Sequence, residues 1–141
     1  MIMDKTKEGL EICIRVAHIL KEQFPNDLMK IESDTILMHQ AKNRKCRSKS
    51  MGNYYAYYLN KTHRVIIKQK VLSERKCLRT KVQNQTDRVM LDGNFALIEL
   101  MCHELAHHRT TGHAKSFKIK YKKFLNHMVS VIFSGDFDTK Q

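Results

Sequence analysis

Apolar residues recur at helical spacing near the start of the chain. Leu10, Cys13, Ala17, Leu20 and Phe24 share one face, with Lys7, Glu11, Arg15 and Glu22 elsewhere. This predicts an amphipathic helix over residues 5–23. Asp4 stands where an N-cap belongs, and Pro25 disfavours helical geometry at Phe24 and stops the helix there. Residues 35–40 read as a short strand. Residues 53–59, rich in tyrosine, and residues 64–72 read as two more. The segment 60–63 between them suits a hairpin loop. Residues 73–91 carry Arg75, Lys76, Arg79, Lys81 and Arg88 without periodicity and predict a long loop.

From Asp92 the pattern changes. Residues 94–108 predict one helix, apolar on nearly every side before His103, which means a central buried element. Thr110, Thr111 and Gly112 then end it, Gly112 supplying a permissive turn. Residues 114–132 predict a last helix. Phe117, Tyr121, Phe124, Leu125, Met128 and Ile132 form its apolar stripe, and Lys115, Lys118 and Lys122 a basic stripe beside it.

These elements make an α+β chain. A small, mostly antiparallel sheet of three or four strands is covered by the first helix and the helix of residues 94–108, with the last helix closing the domain. At 141 residues, with no repeat or linker, residues 1–141 are read as one domain. No apolar run reaches the ~18–20 residues of a membrane span. The start of the chain lacks the ~7–15-residue apolar core of a secretory signal. The expectation is a protein of the nucleus or cytoplasm that is not secreted and contacts no membrane. Cys13, Cys46, Cys77 and Cys102 form no C-x-x-C pair and are expected to be reduced thiols.

Charge adds a partner class. Lys and Arg number 26 against 14 Asp and Glu, a formal net charge of +12. Such an excess attracts polyanions, of which nucleic acid is the commonest. Lys42, Arg44, Lys45, Arg47 and Lys49 cluster in a segment without apolar periodicity. That loop is either a nucleic-acid patch or a solvated surface. The tyrosines at 54, 55, 57 and 58 can stack on bases or pack one strand face into the core.

The candidate chemistry lies at His103-Glu104-Leu105-Ala106-His107, an H-E-x-x-H sequence. On a helix, residues four apart share a face, so both imidazoles can bind one zinc ion. Glu104 lies close enough to take a proton from metal-activated water without being a ligand. His113, six residues past His107 and beyond Gly112, supplies the third ligand and leaves a fourth position for water. Composition does not explain the set, since these offsets arise by chance in about one such chain in a thousand. His108 is read as lying beside the site or on the surface, and Cys102 as a core residue. His18, His39, His63 and His127 lack ligand spacing.

With Gly112-His113-Ala114-Lys115-Ser116-Phe117, the H-E-L-A-H core resembles the small zincin metalloproteases. The nearest patterns are the WLM (Wss-like) family, the SprT-like or Spartan family, and the YgjP-like peptidases. The histidine ten residues after the first resembles WLM and YgjP-like proteins, and the Gly-His-x-x-x-Phe run resembles the SprT-like pattern. WLM proteins usually have Gly-Pro before the third histidine, where Thr111-Gly112 stands here. Metzincins place glycine where Thr110 stands, which argues against that class.

The resemblance implies a minimal zincin domain. It implies zinc on His103, His107 and His113, with Glu104 as general base. It further implies cleavage of proteins crosslinked to or bound on DNA. The charge pattern, read separately, makes Lys42, Arg44, Lys45, Arg47, Lys49, Lys115, Lys118 and Lys122 the expected DNA contacts. Residues 129–133 followed by Asp136 and Asp138 resemble a SUMO-interacting motif, although the helical stripe through Ile132 accounts for the same residues. Substrate would lie extended along a sheet edge, for which residues 64–70 are the candidate strand. A Tyr, His or Arg would stabilise the tetrahedral oxyanion. Two other classes stay open: a nucleic-acid-binding protein with a structural or non-catalytic zinc site, and a zinc hydrolase of another substrate.

Overall fold

A computed structural model describes residues 4–29, 31, 36–39, 56–59, 63–80, 88–110, 114–135 and 137, with the backbone alone at 36–39, 57, 77–80 and 88–92. The basic segment at 42–49, Gly112 and His113 lie outside the described residues.

Helix α1 spans Lys5–Gln23, with the bounds its periodicity predicts. The Asp4 carboxylate accepts from the Thr6 N–H at 2.8 Å, satisfying a backbone donor of the first turn. Glu8 in the first turn and Lys21 in the last oppose the helix dipole. Phe24 closes the helix through its N–H to the Leu20 carbonyl, just before Pro25. Thr6, Gly9, Cys13, Val16, Ala17 and Leu20 form the buried face.

Strands β1 (Ile36–His39), β2 (Ala56–Leu59) and β3 (Arg64–Lys68) make one sheet in the order β1-β3-β2. β2 and β3 pair antiparallel as the expected hairpin, Tyr58 facing Val65. β1 runs parallel to β3, so this sheet is mixed rather than mostly antiparallel. The central strand is β3, whose Val65, Ile66 and Ile67 are all buried, the signature of a strand covered on both faces. Because β3 is paired on both sides, it offers no edge to a substrate, which overturns the assignment of residues 64–70 to that role. Among the described residues, the outer strands are β1 and β2.

The predicted strand at 64–72 ends at Lys68, and helix α2 (Gln69–Glu74) follows. Val71 and Leu72 turn inward on this single-turn element, and Arg75 ends it in the left-handed conformation at φ 56°. Among the described residues of the predicted loop at 73–91, β4 (Lys76–Thr80) and β5 (Arg88–Asp92) form an antiparallel pair. Its register sets Cys77 opposite Leu91 and Leu78 opposite Met90.

Helix α3 (Asn94–Ala106) is the buried centre the sequence predicts. Ala96, Leu97, Ile98, Leu100, Met101, Cys102, Leu105 and Ala106 are all fully buried. It packs against α1, touches β2, and meets α4 (Lys115–Ser134) along its length. Leu20, Leu72, Phe124 and Met128 complete the core from α1, α2 and α4. Each such side chain contributes roughly 1.5–3 kcal/mol on burial, which makes this centre a rigid platform for what lies at its end. The buried Arg75 ties the platform together, donating to Asn94 at 2.8 Å and to Glu8 at 3.2 Å. The class is α+β.

Candidate metal centre

The H-E-x-x-H residues straddle the last turn of α3. The helix ends at Ala106, two residues short of the predicted 108, and His107 is its cap. The His107 N–H still bonds back to the Glu104 carbonyl, so His103 and His107 keep helical spacing. Their ring centres are 5.1 Å apart and the planes 74° from parallel. Two imidazoles on one tetrahedral ion, with nitrogens at 2.0–2.1 Å, place their ring centres about 5 Å apart. The pair therefore fits a shared metal. Glu104 is buried, and its Oε2 lies 4.0 Å from His103 Nε2. A carboxylate this close to an imidazole can exchange a proton with a group between them.

Past the helix end, Arg109 adopts the left-handed conformation, at φ 65°. The cause is local: Thr110 donates its N–H to the His107 carbonyl at 2.9 Å and its hydroxyl to the Ala106 carbonyl at 2.6 Å. The Lys120 ammonium reaches back from α4 to the His108 carbonyl. These bonds satisfy carbonyls at the end of α3. His113 belongs to the segment outside the described residues. Among the described residues, no three His, Cys, Asp or Glu side chains gather as a metal-holding group.

Helix α4 supplies a wall. Phe117, 3% exposed, stacks on His107 with ring centres 4.4 Å apart and meets His103 edge-on at 5.0 Å. One turn on, Tyr121 lies nearly parallel to Phe117 and edge-on to His103 at 5.8 Å. The Tyr121 hydroxyl donates to Glu99 Oε2 at 2.6 Å. Sequence reasoning passed over Glu99. The available signal was a carboxylate inside the apolar run that precedes His103, four residues before it.

His108 is neither at the surface nor on the ligand face. It is wholly buried, and its Nδ1 lies 2.6 Å from the Tyr58 hydroxyl of β2. The His63 ring stands 5.1 Å away. Burial lowers the His108 pKa to about 4; the Met29 backbone opposes this, and His63, Lys120 and Arg109 add to it. His108 is thus a neutral core imidazole. Burial likewise pushes the Tyr58 hydroxyl up, so it stays protonated. Tyr58 serves the core, as one of the two readings of the tyrosine strand has it.

Cys102 is fully buried, and burial with the nearby Glu99 charge raises its thiol well above the usual range. It is a core residue, as expected, and so is Cys13. His127 packs edge-on to Phe24, and His18 is exposed.

The basic stripe of α4 is in place: Lys115, Lys118 and Lys122 are exposed on one side, while Lys123 turns inward to Asp27. Residues 129–133 form turns of the same helix, with Val131 and Ile132 against the core and Phe133 86% exposed. No helix among the described residues is long and apolar enough to cross a membrane. Comparison with protein-family models, with curated proteins and with solved structures returns no match.

Proposed function

We propose that the chain is a zinc-dependent endopeptidase of the small zincin type, acting on proteins bound or crosslinked to DNA. The observation that carries this reading is the pair of imidazoles at 5.1 Å, with the buried Glu104 carboxylate beside them. His103, His107 and His113 would hold zinc. Zinc, when bound, lowers the pKa of water toward ~7 and polarises a carbonyl. Glu104 accepts the proton of the attacking water and delivers it to the leaving amine. Its burial keeps that proton out of bulk solvent during the exchange. The Phe117 wall covers the imidazoles from one side and excludes water there.

The DNA part of the proposal rests on the +12 charge and on α4. That one helix presents Lys115, Lys118 and Lys122 outward and Phe117 inward, so an anchored polyanion would lie one helix width from the histidines. The same lysines favour a second reading, a nucleic-acid binder with structural zinc, which gives the Glu104 carboxylate no task.

The test is cleavage of a DNA-binding protein with and without single-stranded DNA. Wild type is compared with a Lys115→Ala, Lys118→Ala, Lys122→Ala variant. The proposal expects DNA to stimulate wild-type cleavage and the triple variant to lose most of that stimulation while keeping its basal rate. Equal stimulation of both would remove α4 from the DNA contact. No cleavage in any arm would favour the second reading.

A further inference from the structure

Glu99 is the one charged residue between Asn94 and Met101. It is 4% exposed. A carboxylate there is costly unless it is paired or hydrogen-bonded. It lies four residues before His103 and eight before His107, on the stripe of α3 that carries both imidazoles.

Its partner is Tyr121. The 2.6 Å separation from the phenol is that of a charge-assisted hydrogen bond. The Tyr121 ring runs within 4° of parallel to Phe117, and together they touch both histidines. The ring torsion of an imidazole is intrinsically broad, so its angle is set by what packs on it. Here the packing surface is two aromatic rings one turn apart on α4, and the outer ring is tied to α3 through Glu99.

We propose that Glu99 and Tyr121 are positioning residues for the histidine pair. Their hydrogen bond across α3 and α4 fixes the aromatic wall that holds the His103 and His107 rings at the metal-binding angle. The inference rests on the zinc reading above and adds two residues to it. Neither residue touches substrate. An ordinary core hydrogen bond would contribute to stability alone; a positioning bond also acts on metal affinity and on the symmetry of the site.

The experiment compares wild type, Tyr121→Phe and Glu99→Gln. Zinc affinity is measured by chelator competition, the visible spectrum after cobalt(II) loading, and melting temperature in chelator. Tyr121→Phe keeps the ring and deletes the hydroxyl. Glu99→Gln keeps an oxygen that accepts from Tyr121 and deletes the charge. The expected result for Tyr121→Phe is zinc binding weaker by several-fold, up to about 10-fold, which is where the range for partners bonded directly to a ligand begins, with a shifted cobalt spectrum. Glu99→Gln should stay close to wild type on both readouts.

Wild-type affinity and spectrum in Tyr121→Phe would overturn the inference. So would affinity losses in both variants that merely follow their melting temperatures. A wild type that takes up neither zinc nor cobalt would overturn the metal reading itself, and the two failures are thereby distinct.

Discussion

Phe117 lies flat on His107, its ring centre 4.4 Å away and its plane 24° from parallel. The two side chains come from different helices, so the stack couples the end of α3 to the start of α4. Those are the elements on either side of His113 in the sequence.

Replacing Phe117 separates packing from orientation. Phe117→Leu keeps an apolar side chain in a buried place and should cost less than about 2 kcal/mol of stability. It removes the flat face under His107, and zinc affinity should fall several-fold. Urea unfolding beside chelator competition checks both. Unchanged zinc affinity would show that the stack does not order the imidazole.

Gly9 marks the closest approach of α1 and α2. A Cβ there would stand 2.3 Å from the Leu72 carbonyl oxygen, a backbone atom that cannot swing aside. Alanine in mid-helix gains roughly 0.5–1 kcal/mol over glycine. Overpacking costs roughly 1–3 kcal/mol, so the clash wins. Gly9→Ala should lower the melting temperature, and a rise would contradict the contact.

His108 gives the fold a pH dependence. Its pKa is lowered to about 4 in the folded chain, against about 6.5 for a free imidazole. The unfolded chain therefore binds the proton first as pH falls. Its contribution to stability is complete above about pH 6.5 and is lost between there and about pH 4. The steepest loss is about 1.4 kcal/mol per pH unit. Urea unfolding in chelator at pH 7.5 and pH 5 should show a larger drop for wild type than for His108→Asn. Equal drops would contradict a neutral buried His108.

The long elements were legible because their signals repeat. α1 declared itself through five apolar positions and an Asp4 cap, and α3 through an apolar run interrupted only at Glu99. The β2–β3 hairpin followed from two strand-forming runs around a short loop. α2 was hidden because six residues hold too few periods to separate a helix from the strand before it. The β4–β5 pair was hidden because its few apolar residues sit among arginines and lysines, and strand pairing is a long-range choice that a local window does not see.

Site geometry divided in the same way. Four-residue spacing put His103 and His107 on one face. The left-handed turn at Arg109 goes with the Thr110 hydroxyl bond to the Ala106 carbonyl, side-chain chemistry that spacing does not reveal. The burial of His108 depended on Tyr58, fifty positions away in the chain.

The most direct test of the metalloprotease reading is a paired measurement on wild type and Glu104→Gln: bound zinc, then cleavage of a DNA-binding protein in the presence of single-stranded DNA. Glutamine keeps the shape of Glu104 and removes its basicity, and the loss of a general base costs roughly 10²–10⁴-fold in rate. The account predicts equal zinc in both proteins and cleavage by wild type alone. Equal cleavage by both, or no zinc in the wild type, would contradict it.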